Sequence, residues 1–134
     1  LFDTNVVLDV LFDRTPFSQP ASQLFAAVEY GMMNGFLCAT TVTTIHYLAA
    51  KTIGRERANA EIRKLLTLFQ IAPVNHLTLN QAIDSGFSDF EDAVLHESAY
   101  HAGIDAIVTR NANDFRTAKL PIYAPNDHIL KIGG

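Results

Sequence analysis

Cysteine is nearly absent: Cys38 is the only one in 134 residues, so no internal disulfide can form. A reducing compartment, the cytoplasm, is the expected location. Cys38, set in Phe36-Leu37-Cys38-Ala39, reads as buried filler. Long apolar runs are absent too. None approaches the ~20 residues that a membrane-spanning helix needs, so no membrane partner is expected. No basic stretch followed by an apolar core opens the chain as a secretory signal would. A glycine-rich phosphate loop is missing, which argues against P-loop nucleotide binding. Repeats, low-complexity tracts and long linkers are missing as well. Positive charge is not in excess: 10 Lys and Arg stand against 14 Asp and Glu, a net charge of −4. Such a balance is unusual for a protein that coats nucleic acid by charge alone. It is less awkward for an enzyme whose carboxylates carry metal ions, and a purely structural protein fits it equally.

What is present suits one folded domain spanning residues 1–134. Hydrophobic residues make up 49% of the chain, enough for a core. The chain opens at Leu1, without Met and directly in a strand-like pair, so a few residues are expected to precede it.

The pattern alternates between short apolar runs and helical spacing. Leu1-Phe2 reads as the end of a strand, and Val6 to Phe12 as a short helix. Phe17 to Tyr30 has Leu24, Phe25 and Val28 on one face and Gly31 as a stop. Phe36 to Ala39 reads as a buried strand. Helices are expected over 41–52 and 55–69, broken at Gly54. An extended piece at Ile71-Ala72-Pro73-Val74 precedes a helix over 78–85, capped by Thr78 or Asn80. A further helix over 89–101 ends at Gly103. Asp105 to Thr109 holds the strand Ala106-Ile107-Val108, Leu120 to Tyr123 is the last strand, and Pro125-Asn126-Asp127 opens a final short helix. Apolar strands without alternation, separated by helices, predict an α/β fold with a parallel sheet covered on both faces.

In such a sheet, ligands collect outside the carboxyl ends of the strands. Asp3-Thr4-Asn5 follows the first strand. Thr109-Arg110-Asn111 and then Asn113-Asp114-Phe115 follow the strand at Ile107-Val108, and Asp89-Phe90-Glu91-Asp92 stands at a helix N-terminus. Carboxylates gathered without cations repel, and a divalent ion relieves that; Mg²⁺ and Mn²⁺ prefer oxygen ligands. Each piece also has a structural alternative. Asp3 and Asp89 are good helix caps. Glu91 and Asp92 suit a first helical turn, and Asp114 suits a turn, as do Asn5 and Asn111. The functional case rests on the segments occurring together.

Taken in order, Asp3-Thr4-Asn5-Val6, Asp92-Ala93, Ile107-Val108-Thr109-Arg110-Asn111 and Asp114-Phe115 resemble the PIN-domain family, which includes the VapC-type toxins of toxin–antitoxin pairs. The resemblance runs from Asp3 to the region of Pro125. It implies a three-layer α/β/α sandwich with a small, mostly parallel sheet. It also implies an endoribonuclease dependent on Mg²⁺ or Mn²⁺, an antitoxin partner and a homodimer. Asp3, Asp92 and Asp114 match acidic ligands of that family. Thr4, Asn5 and Thr109 match supporting polar residues, and Asn111 stands where many relatives carry another Asp. One position departs: His46, in Thr43-Thr44-Ile45-His46-Tyr47, aligns with a Glu of active relatives. Imidazole is a poor Mg²⁺ ligand, though Mn²⁺ accepts it more readily. Glu91 or Asp89 is then expected to lean in for the lost carboxylate.

Arg14, Arg110 and Arg116 lie nearest the expected site and are candidates for RNA phosphates. Lys51, Arg55, Arg57, Arg63 and Lys64 form a second basic group, which an ordinary solvated helical hairpin also explains. Two rivals stand beside the nuclease reading. One is a catalytically impaired PIN-like module that binds RNA or protein, motivated by His46 and Asn111. The other is a phosphate-handling enzyme with Asp3 as covalent nucleophile. Such enzymes usually carry a second Asp two positions on, where this chain has Asn5.

Overall fold

Short apolar strands need partners on both edges and helices on both faces, and the chain supplies both. The computed structural model describes residues 1–127. Strand β1 (Phe36–Cys38) pairs in parallel with β2 (Gln70–Ala72), Leu37 opposite Ile71. Strand β3 (Ile107–Val108) pairs in parallel with β4 (Ile122–Tyr123). The N-terminal pair Leu1-Phe2 joins the two halves. Phe2 bridges Val108 in parallel, and its N–H donates to Phe36 O at 3.0 Å. Across the sheet the order is therefore β2, β1, the N-terminal segment, β3, β4. The connections reverse direction between Leu1-Phe2 and β3, which opens a crevice beyond their carboxyl ends.

Adjacent strand residues point to opposite faces, and the core divides accordingly. Phe2, Leu37 and Val108 face a cluster built by helices α1 (Thr4–Leu11), α2 (Ser18–Glu29), α3 (Ala39–Ile53) and α4 (Arg55–Leu68). Phe2 stacks on Phe25 at 5.7 Å and meets Phe69 edge-on at 5.5 Å. On the other face Leu1, Cys38, Ala72 and Ile107 pack against Leu95 and Ala99 of α6 (Phe90–His101) and Phe115 of the 3₁₀ turn η1 (Ala112–Phe115). Helix α5 (His76–Ile83) lies against α6. The result is the three-layer α/β/α arrangement with an all-parallel sheet. Cys38 is fully buried, as expected of filler. Among the described residues no helix is long and apolar enough to cross a membrane.

Several boundaries differ from the pattern-based expectation. Helix α1 starts at Thr4 rather than Val6, because Asp3 caps it. Helix α5 starts at His76, capped by Asn75 and not by Thr78 or Asn80. Thr78 instead completes a capping box with Asn75. The turn η1 had no periodic signal at four residues. Pro125-Asn126-Asp127 is helical as expected, and the remainder of that final helix would fall on 128–134, outside the described residues.

Candidate functional site

Asp3 leaves the sheet and caps α1 in extended conformation (φ −66°, ψ 155°). Its Oδ1 accepts the Thr4 N–H at 2.8 Å. Its Oδ2 accepts the Thr109 hydroxyl at 2.8 Å and the Asn5 amide at 3.4 Å. The side chain is buried. Burial pushes its carboxyl above the usual range, against the Thr109 and Thr4 hydrogen bonds, and Glu91 and Asp114 push the same way.

Asp92 comes from the first turn of α6, where Asp89 is the cap and accepts the Asp92 N–H at 2.9 Å. Asp92 is half-buried. Its carboxyl is pushed up to about 7, first by burial and then by the charges of Asp3, Asp89, Asp114 and Glu91. Asp114, exposed on η1, thus acts on both other aspartates. The structure brings Asp3, Asp92 and Asp114 to one edge, at the reversal point of the sheet, with Glu91 and Asp89 beside them. Among the described residues no Lys, Arg or His forms an ion pair with any of the five.

The supporting residues take clear positions. Asn5 Oδ1 accepts the Arg110 N–H at 3.4 Å, and Thr109 Oγ1 accepts the Asn111 N–H at 3.0 Å. The Thr4 hydroxyl meets the Thr41 hydroxyl of α3 at 3.0 Å. Asn111 itself is exposed.

Two expectations need correction. His46 does not face the carboxylates: its Nε2 lies 2.6 Å from Asn59 Oδ1 on α4. The α3 residue that reaches the acidic group is Thr44, whose hydroxyl lies 3.4 Å from Glu91 Oε1. Positions two apart on a helix point to nearly opposite sides, so the two cannot share a face. Arg110 is not a free phosphate ligand either. Its Nε and Nη2 clasp Asp9 at 2.6 and 3.1 Å, and its guanidinium lies 3.9 Å over the Phe17 ring. Arg14 is more open, 3.7 Å from Asp9 and 41% exposed, and Arg116 is exposed at the end of η1. In the second basic group, Lys64 pairs with Glu61 and Lys51 donates to Tyr47, as in an ordinary helical hairpin.

Pattern reading overlooked Thr41, Thr44 and Asp9. Thr41 and Thr44 are three apart and directly follow a strand, which places them on one face at the site edge. Asp9 is a carboxylate amid Val7, Leu8, Val10 and Leu11, so a buried cationic partner was foreseeable.

The donor set consists of carboxylate and hydroxyl oxygens, which suits a hard cation. Among the described residues no three side chains are already drawn together tightly enough to enclose an ion. Mg²⁺ does not require that, since it keeps several waters and is commonly held by one or two carboxylates. Asp3 with both oxygens hydrogen-bonded is poorly placed as a covalent nucleophile.

The PIN domain family matches residues 1–113. Ribonuclease VapC1 of Aquifex aeolicus (strain VF5) is 22% identical over 136 residues, covering 96% of this chain and 86% of that protein. A toxin–antitoxin complex from Klebsiella pneumoniae superposes with a TM-score of 0.69 at 21% identity, covering 92% of this chain and 95% of that one. FitAcB from Neisseria gonorrhoeae does so with a TM-score of 0.69 at 19% identity, covering 92% and 96%. At these identities the structures establish the fold.

Proposed function

The chain belongs to the PIN-domain family, and from that premise we propose that it is a metal-dependent endoribonuclease, the toxin of a toxin–antitoxin pair. One observation carries the reading: Asp3, Asp92 and Asp114 converge at the reversal point of the sheet without a cationic partner among the described residues. Such a group is electrostatically incomplete, and Mg²⁺ or Mn²⁺ completes it. Asp3, Asp92 and Asp114 would hold the ion, which when bound would supply water activation and offset for the charge that builds on the phosphodiester.

The chain's own residues do the rest. Thr109, Thr4 and Asn5 fix the rotamer of Asp3. In the metal-free protein burial and the charges of Asp3, Asp89, Asp114 and Glu91 push the Asp92 carboxyl up to about 7, so proton and metal ion would compete for it. Asp89 and Glu91 add negative charge beside the ligands, Asn111 joins Thr109 through its N–H, and the exposed Arg14 and Arg116 are the candidates for RNA phosphate. The relatives, a ribonuclease and a toxin–antitoxin complex, support RNA as substrate and an antitoxin as partner. A cytoplasmic homodimer belongs to the same reading.

A second reading is a catalytically impaired module that binds RNA or protein. It is favoured by Thr44 on α3 where a carboxylate would add a ligand, and by the neutral Asn111. Incubation of the purified protein with RNA in Mg²⁺, Mn²⁺ or EDTA separates the two. Cleavage that requires the metal supports the nuclease; RNA binding without cleavage in either metal supports the module.

A further inference from the structure

Asp9 sits on α1, beyond Asp3 along the helix, and is fully buried. A carboxylate there is costly unless paired, and it is clasped by Arg110 through two parallel contacts of 2.6 and 3.1 Å. Phe17 covers the guanidinium at 3.9 Å. A buried ion pair is a weak source of stability, because desolvation offsets most of the attraction. Its geometric consequence is larger.

Arg110 directly follows Thr109, which donates to Asp3. The Arg110 N–H donates to Asn5 Oδ1. Asn111 N–H donates to Thr109 Oγ1, and Asp114 N–H donates to Asn111 O at 3.0 Å. An unbroken series of bonds thus runs from Asp9, through Arg110, to the backbone of Asp114. Resting on the nuclease reading, we propose that Asp9 and Arg110 are positioning residues, a clamp that fixes the segment carrying Asp114 against α1 and so sets the spacing of the site carboxylates.

The test replaces both members at once. In Asp9→Leu/Arg110→Met no buried charge is left unpaired, because Arg14, the other cation near Asp9 at 3.7 Å, is 41% exposed and stays hydrated, so the protein is expected to melt near the wild-type temperature. Its kcat on RNA should fall about 100-fold with KM nearly unchanged, as misplacement of about 1 Å produces. Its Mn²⁺ affinity, read by electron paramagnetic resonance without RNA, should fall roughly tenfold. Arg110→Lys keeps the charge but loses the fork and the stack, and it should show the same pattern more weakly. This single variant decides the matter if the double variant does not fold. Wild-type kcat and Mn²⁺ affinity in a folded variant would make the pair merely structural and overturn the proposal. A raised KM with unchanged kcat would also overturn it, returning Arg110 to phosphate binding. Failure of the nuclease reading shows elsewhere, in a wild-type protein that neither cleaves RNA nor binds Mn²⁺, and it takes this inference with it.

Discussion

The Thr109 hydroxyl donates a 2.8 Å hydrogen bond to Asp3 Oδ2 across 106 positions of sequence. It ties the end of β3 to the cap of α1, the two places where the sheet reverses. Both groups are buried. Thr109→Val keeps the shape and removes the donor, so Asp3 loses support for its charged form. Stability should fall by about 1–3 kcal/mol, and Mn²⁺ should bind more weakly at neutral pH. Chemical denaturation and a Mn²⁺ titration measure the two effects; a variant unchanged in both would remove Thr109 from the site.

The acidic group predicts an unusual pH dependence. Burial first, then neighbouring carboxylates, raise the Asp92 carboxyl to about 7 in the folded protein, from 3.8. Asp3 is shifted the same way. The folded state therefore holds protons that the unfolded chain has released, and metal-free stability should rise as pH falls from 8 through 7. His96 opposes this at lower pH. Its Nε2 accepts the Lys119 N–H at 3.0 Å, and burial lowers its pKa below 6.5. The stability it contributes is fully present above 6.5 and is lost as pH falls from there through its lower value in the folded protein. Melting curves of the metal-free protein from pH 8 to 6.5 should show the rise, and Asp92→Asn should flatten it. Divalent metal competes with these protons, so apparent Mg²⁺ affinity should increase with pH through about 7.

Substitutions on α3 distinguish its two faces. Thr44→Glu should add a carboxylate beside Glu91, lower the metal-free melting temperature and enlarge the rise on adding Mg²⁺. By linkage that rise corresponds to about 2.7 kcal/mol at 100 times the dissociation constant. His46→Glu faces Asn59, and its effect on melting should be the same with and without Mg²⁺. A metal-reversible loss in His46→Glu would mean that His46 reaches the carboxylates after all.

Packing on the helical face sets a separate limit. A Cβ at Gly35 would lie 2.6 Å from Phe69 Cδ1 and 2.9 Å from Val28 Cγ1. Both are core residues, and Phe69 is locked against Phe2 and Phe25. Gly35→Ala should cost about 1–3 kcal/mol by overpacking, with metal affinity little changed because the added Cβ would meet Phe69 and Val28 and not a site carboxylate. Equilibrium unfolding checks the first and a Mn²⁺ titration the second.

Strand identity and the parallel sheet were legible because uninterrupted apolar pairs such as Ile107-Val108 have few other homes. The gathering of Asp3, Asp92 and Asp114 at one edge was legible because they follow strands or open a helix. The partners of Arg110 and His46 were not. Each is chosen by a residue far away in sequence, Asp9 for one and Asn59 for the other, and neither choice leaves a periodic signal. Helix starts at Thr4 and His76 were missed by about two residues because the caps, Asp3 and Asn75, lie outside the apolar pattern that marks a helix.

The most direct measurement is a crystal soaked in Mn²⁺ and examined by anomalous diffraction. A metal held as proposed gives a single strong peak bounded by the carboxylates of Asp3, Asp92 and Asp114, which disappears in Asp3→Asn and in excess Mg²⁺. No peak at saturating Mn²⁺, or a peak away from these three side chains, would contradict it.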